Sequence, residues 1–212
     1  MIRVRAATPA DLDSVVQVHQ QAFQGFLMTM LGARFLRGYY QCVLGYTHPI
    51  FLVAERDGQV LGFAAGFVNP PRFYALLRQR KWQLGFAAAS HLMWRPRLWR
   101  RALSSLRRAE NISSSGDAPT LAELASIAVA PTAQGLGIGK QLIQAFLDQA
   151  RQRGVSEVVL TTDAHNNDAV NAFYQKQGFV CTRQFWHTPG RLMNEYRIRL
   201  EQVQSSHREP MQ

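Results

Sequence analysis

The sequence predicts an α+β fold: one mixed, mostly antiparallel central sheet flanked by helices, with a basic helical insertion. Three observations lead there. Short strand-like runs alternate with stretches of helical periodicity, in the order β, α, α, β, β up to residue 68 and β, α, β, α, β, β from residue 121. Two strand-like runs flank Asp57-Gly58, a strong hairpin signal. Between the two halves lies a segment whose composition matches neither.

Taken in order, "IRVRAA" (residues 2–7) reads as a short strand. Thr8, with Pro9 and Asp11 after it, reads as a helix N-cap with proline at the first helical position, opening a helix that runs through Phe23. "ARFLRGYYQCVL" (33–44) repeats apolar residues at helical spacing, and "IFLVAERDGQVLGFAAGFV" (50–68) gives the hairpin. "LAELASIAVAP" (121–131) is the next strand. A helix comes after it with the stripe Ile138, Leu142, Phe146, Ala150 and Gly154 as its stop. "SEVVLTT" (156–162), apolar through its centre, suits a buried parallel strand. "NNDAVNAFYQKQGF" (166–179) is a helix ending at Gly178, and "FVCTRQFW" and "LMNEYRIRL" are two more strands. From Glu201 the chain is polar, and a disordered tail is expected over 201–212.

At 212 residues and 47% hydrophobic composition, the chain is read as one domain over 1–200, including the insertion at about 69–116. Two cysteines, Cys42 and Cys181, are too few for a disulfide framework, and the first residues lack the apolar stretch of a signal peptide. A cytoplasmic protein is expected. Cys42 sits among apolar helical positions and reads as core. His19, His48, His91, His165, His187 and His207 are scattered without metal-ligand spacing, so no metal is expected.

The net charge of +10 is local. Residues 69–110 hold ten Lys or Arg against Glu110 alone, which places +9 there, together with Trp82, Trp94 and Trp99. Projected as a helix from Pro96, the apolar Trp94, Leu98, Trp99, Ala102, Leu103, Leu106 and Ala109 separate from Arg97, Arg100, Arg101, Arg107 and Arg108. Three uses fit. The apolar face packs on its own domain, or it lies peripherally on the inner face of an anionic membrane, or it forms a homodimer that presents the arginines to an anionic acceptor. "WQLGFAAASHLMW" (82–94) is too short to span a bilayer. No nucleic-acid module accompanies the charge, so no sequence-specific nucleic acid is expected as a partner.

Chemistry concentrates in "AVAPTAQGLGIGKQLIQAF" (128–146). A dinucleotide fingerprint would need glycine where Lys140 stands, and a phosphate-binding Walker loop would need glycine at Gln134 and Ser or Thr at Gln141. Both fail. What remains is strand, glycine loop and helix start, whose backbone N–H groups and helix dipole favour an anion, a phosphate above all. Geometry alone, a tight strand-to-helix turn, is the other reading of the same glycines.

Here the sequence resembles the GNAT superfamily of N-acetyltransferases. Gln134, Gly137 and Gly139 fill the family pattern Gln or Arg, x, x, Gly, x, Gly or Ala. Asn167, with Tyr174 seven residues on and then Gly178-Phe179, fills the second family element. The resemblance covers residues 119–185. It implies acetyl-coenzyme A as cosubstrate, with the amides of Gln134, Gly135, Leu136, Gly137, Ile138, Gly139 and Lys140 around its pyrophosphate and Asn167 and Tyr174 also at the coenzyme. It further implies a splayed strand whose Ile127, Ala128 and Val129 pair with the pantetheine arm and offer a backbone N–H to the oxyanion. Tyr174 would protonate the leaving thiolate. Its other reading is a tyrosine half buried against the sheet. Glu123 stands where the histone-modifying branch carries its general base, and an ordinary strand carboxylate is the competing reading. "AFQGFLMTMLGARFLRGYY" (22–40) resembles, more faintly, GNAT proteins of surface-polysaccharide and amino-sugar biosynthesis, which suggests an amino sugar or another small amine as acceptor. Protein lysine or N-terminal amines, or a non-catalytic acetyl-coenzyme A sensor, are the alternatives.

Overall fold

The computed structural model describes residues 1–80, 121–187 and 190–201. Numbered along them, the strands are β1 (Arg3–Ala6), β2 (Pro49–Arg56), β3 (Gln59–Val68), β4 (Leu121–Val129), β5 (Glu157–Asp163), β6 (Val180–His187) and β7 (Arg191–Arg199). The helices are α1 (Leu12–Ala22), α2 (Leu27–Met30), α3 (Ala33–Leu44), α4 (Pro70–Gln79), α5 (Ile138–Gln152) and α6 (Asp168–Lys176). The strands form one sheet in the order β1-β2-β3-β4-β5-β7-β6. Every neighbouring pair is antiparallel except β4 and β5, whose parallel pairing is made through the crossover helix α5.

The local chemistry agrees with the expected signals. Asp57 and Gly58 both take positive φ, 54° and 78°, the geometry of a two-residue hairpin turn. Thr8 opens the first helical segment through a capping box with Asp11, though that segment starts as a 3₁₀ turn over Pro9–Asp11 and its helix ends at Ala22, with Phe23 as the cap. Arg5 then ties three elements together. Its guanidinium donates to both oxygens of Asp11 at 2.8 Å and to Glu55 at 2.7 and 2.9 Å, and the hydrogen bonds from Arg5 hold the Asp11 carboxyl well below the usual carboxylate range.

Register separates the two faces of the sheet. Gly62, Ala64, Gly66 and Val68 of β3 share a face with Val129, Ile127, Leu124 and Ala122 of β4. That face carries α5: the stripe Ile138, Leu142, Phe146 and Ala150 is buried. A Cβ on Gly66 would lie 2.0 Å from the Glu123 carbonyl oxygen and 2.7 Å from the Phe146 ring, so only glycine admits this approach. The opposite face, with Phe63, Ala65 and Phe67 of β3, is covered by α1, α3 and α4, whose buried residues include Leu12, Val15, Leu36, Tyr40 and Phe73.

Two helices stand apart from any element that periodicity predicts. Helix α2 is a single turn whose Thr29 hydroxyl donates to the Phe23 carbonyl at 2.7 Å. Helix α4 opens the basic segment, with Asn69 as N-cap and Pro70 and Pro71 in its first turn. It belongs to the core: Phe73 is buried and stacks on Phe67 at 3.8 Å. The helix projected from Pro96 to Ala109, the apolar stretch Trp82 to Trp94 and the tail from Gln202 lie outside the described residues. Among the described residues no helix is long and apolar enough to cross a membrane.

His19, one of six scattered histidines by sequence, is buried among Phe23, Tyr40 and Phe63. Its Nδ1 lies 2.7 Å from the Tyr40 hydroxyl, and its Nε2 has no hydrogen-bond partner among the described residues. Burial lowers its pKa to about 4, whereas in the unfolded chain it is about 6.5. Between these values only the unfolded chain takes up the proton, so stability is complete above about pH 6.5 and falls as pH drops towards 4, by up to about 3 kcal/mol. Urea unfolding at pH 7.5 and 5 is expected to record this loss in the native protein and a much smaller pH difference in His19→Gln.

Candidate active site

The parallel pairing of β4 and β5 is short. It covers Leu121↔Glu157, Ala122↔Val158 and Glu123↔Val159, and then stops. Beyond that point β4 stays with β3 as far as Val129↔Gly62, and β5 stays with β7 as far as Asp163↔Met193. A bulge in β4 at Ala125, where the register against Ala65 and Gly66 shifts, accompanies the parting and adds local twist. The result is a wedge that opens towards the C-terminal ends of both strands. Along it Leu124–Val129 have no ladder partner in β5, so the expected backbone of Ile127, Ala128 and Val129 lines one wall.

At the mouth β4 leads into the glycine loop. Gly135 and Gly137 take φ of +81° and +73°, and a Cβ on either would meet nothing within 4 Å. Their glycine identity is therefore conformational, and the space in front of them is open. Gly137 is the N-cap of α5 and has no side chain with which to satisfy the first helical amides, those of Ile138, Gly139 and Lys140. Gln134, Gly135, Leu136, Gly137 and Lys140 are exposed around it, while Ile138 is buried against the sheet. Gly139 differs: a Cβ there would lie 3.3 Å from the Phe173 ring, so part of its value is to let α6 close on α5.

The other side of the mouth is built by α6. Asn167 Nδ2 donates to Thr162 Oγ1 at 2.8 Å and to the Asp163 carbonyl at 3.0 Å. Its amide nitrogen is thus engaged by β5. Asn171 donates to the same Asp163 carbonyl at 3.1 Å and accepts from Asn194 and Tyr196 at 3.1 Å each. These bonds seat α6 on β5 and β7 and with it Tyr174, whose buried ring lies against Phe179 and Tyr196. Burial pushes the Tyr174 phenol well above its ordinary value, so it stays protonated across neutral pH.

Glu123 sits at the floor of the wedge, the last β4 residue paired with β5. Its register partner is Phe67, so its side chain lies on the face opposite α5, half-buried rather than on an exposed strand face. Tyr74 of α4 donates to Glu123 Oε1 at 2.8 Å. Sequence reasoning missed Tyr74, because nothing in a basic, aromatic segment marks which tyrosine reaches the site. Nearby on the same face, the Tyr40 hydroxyl lies 2.7 Å from His19 Nδ1. At the end of β5, Arg191 of the neighbouring β7 is bidentate on Asp163 at 2.8 and 2.5 Å, with its guanidinium 5.2 Å from the centre of the Phe26 ring. Among the described residues no three His, Cys, Asp or Glu side chains gather as a metal site.

The model of the Acetyltransferase (GNAT) family matches residues 13–179. Curated relatives include the mycothiol acetyltransferase of Kocuria rhizophila, 40% identical over 73 residues, which are 34% of this chain and 22% of that protein. The mycothiol acetyltransferase of Paenarthrobacter aurescens is 45% identical over 65 residues, 31% of this chain and 20% of that protein. The chain thus spans about a fifth of the length of these relatives. Among solved structures, the ribosomal-protein-S18-alanine N-acetyltransferase of Escherichia coli superposes with a TM-score of 0.61 at 16% identity, over 97% of this chain and 98% of that one. The yncA acetyltransferase of Salmonella typhimurium, solved with its cofactor acetyl-CoA, gives 0.59 at 16% identity over 99% and 98%.

Replacing Gly137 with Val forces a β-branched residue to positive φ, at a cost of roughly 1–3 kcal/mol, and puts a side chain in the open space before the α5 amides. Calorimetry is expected to record acetyl-coenzyme A binding weakened by about tenfold or more, with circular dichroism unchanged; native affinity in this variant would remove the loop from the coenzyme site.

Proposed function

The chain belongs to the acetyltransferase (GNAT) family, and from that premise we propose that it moves the acetyl group of acetyl-coenzyme A directly to a small primary amine. The observation that carries the reading is the wedge between β4 and β5 opening onto an α5 N-terminus that has no side-chain cap. An extended, amide-bearing arm fits a wall of unpaired strand backbone, and a pyrophosphate fits the amides beyond it.

In this reading Glu123 removes a proton from the acceptor ammonium, directly or through water, and the freed amine attacks the acetyl carbonyl carbon. The oxyanion accepts a hydrogen bond from a backbone N–H among Ile127, Ala128 and Val129. Collapse of the tetrahedral intermediate re-forms the carbonyl, breaks the C–S bond and releases the thiolate, and the excess proton on the attacking nitrogen passes to that thiolate or to water, leaving the neutral amide. Tyr174 donates a hydrogen bond to that sulfur. Its phenol, raised above about 10 by burial, is a weaker acid than a thiol near 8.5, so complete proton transfer is uphill and the hydrogen bond carries the benefit. The effect of losing it is correspondingly moderate. The faint resemblance of residues 22–40 to proteins of amino-sugar biosynthesis favours a compact amine, of the amino-sugar kind, over an extended peptide.

The test is a panel of glucosamine, a polyamine, free lysine and a peptide N-terminus, read by thiol release from acetyl-coenzyme A. Glucosamine is expected to exceed the peptide; turnover of the peptide alone would overturn the acceptor class, and no thiol release with any amine would leave a coenzyme-binding module. Tyr174→Phe is expected to lower kcat about 10- to 100-fold, with the Kd for acetyl-coenzyme A within twofold of native.

A further inference from the structure

Helix α4 belongs to the segment that composition sets apart, yet it delivers a side chain to the floor of the wedge. Its start is fixed to β4, because the Asn69 amide donates to the Leu121 carbonyl at 2.9 Å. Phe73 stacks on Phe67, and the Tyr74 ring meets Phe67 edge-on at 5.6 Å. Phe67 is itself the register partner of Glu123. The Tyr74 hydroxyl therefore reaches Glu123 Oε1, at 2.8 Å, from a ring held on two sides.

We propose that Tyr74 is a positioning residue for the reaction: its hydroxyl fixes the Glu123 carboxylate in place and keeps it in the ionised, proton-accepting form, so that the inserted helix completes the base. This rests on the assignment of Glu123 as the base. Half-burial alone favours the neutral acid, which cannot take a proton, and a hydrogen bond donated to the carboxylate opposes that. Among the neighbouring titratable groups, Tyr39 of α3 stays protonated, because burial first, and then Tyr40, the Glu123 charge and Cys42, push its phenol well above its ordinary value. Phe67 of β3 and Val159 of β5 do not titrate, and the His19 ring lies beyond Tyr40. A tyrosine also suits the acceptor side, since it adds no positive charge to repel an incoming ammonium.

The experiment compares native protein, Tyr74→Phe and Glu123→Gln. Phenylalanine keeps the ring on Phe67 and removes only the donor. With glutamate labelled at the side-chain carbonyl carbon, the signal missing from Glu123→Gln identifies the carboxylate, and its titration needs no acceptor. The midpoint is expected to rise by about one pH unit in Tyr74→Phe, equivalent to one hydrogen bond to a charged group. The acid limb of kcat/KM, read by thiol release with glucosamine or the fastest amine of the panel, is expected to move with it, while acetyl-coenzyme A binding stays within twofold. An unchanged midpoint in Tyr74→Phe, with the acid limb lost in Glu123→Gln, overturns the role of Tyr74 and keeps Glu123 as base. A native acid limb in Glu123→Gln overturns the base assignment and the inference with it.

Discussion

The site depends on one constraint: β4 and β5 pair as parallel neighbours for three residues and then part. Each strand keeps to its stronger partner. β4 continues along β3 around the bulge at Ala125, and β5 continues along β7 for its full length. Backbone N–H and C=O groups inside a sheet are ordinarily paired, and leaving one buried without a partner costs about 1–3 kcal/mol. A sheet that ends its own ladder midway therefore holds a row of groups suited to an extended ligand that brings amides of its own. The glycines at 62 and 66 contribute by letting α5 settle directly on β3, which sets where that helix begins relative to the wedge.

Polar side chains, buried or half-buried, hold the rest of the wedge in shape. Asn167 and Asn171 spend their donors on Thr162 and Asp163, and Asn194 and Tyr196 spend theirs on Asn171, so α6 is tied to two strands by side-chain hydrogen bonds. Beneath it Glu195 is buried on β7. Burial alone would push its carboxyl up, but the hydrogen bonds from Arg197 and Arg183 outweigh this and keep it below its ordinary value. Arg197 also reaches Glu157 at 2.5 Å, which links β7 to the start of β5. A network this fully bonded is one a ligand can bind against without first having to order it.

The basic segment between β3 and β4 is part of this structure from its first turn. Phe73 fills the core and Leu77 is buried with it, so α4 is anchored to the domain by its own side chains. That explains how one segment can differ in composition from the domain while presenting Tyr74 to Glu123. The charge lies on the same helix, at Arg72 and Arg78, but the residues that matter for the site are the aromatic ones.

By itself the sequence determined the order of the seven strands and of helices α1, α3, α5 and α6, because helical and strand periodicities are local, while α2 and α4 escaped it. It determined the hairpin at Asp57-Gly58 and the break at Gly137 because both need positive φ, which few residues tolerate. It also marked Gln134, Gly137, Gly139, Asn167 and Tyr174, whose spacing along the chain carries a family pattern. Only the tertiary structure decided which strand leaves which. The parting of β4 from β5 is a competition between ladders that lie far apart in the chain, and no local pattern records its outcome. The same holds for His19, Tyr74 and Asn167. The buried position of His19 is fixed by rings from two other elements, α3 and β3, besides the Phe23 cap of its own helix, Tyr74 meets Glu123 across 49 positions of sequence, and the amide of Asn167 is claimed by the end of β5. A residue type states which bonds a side chain can make, whereas the fold alone determines which partners come within reach.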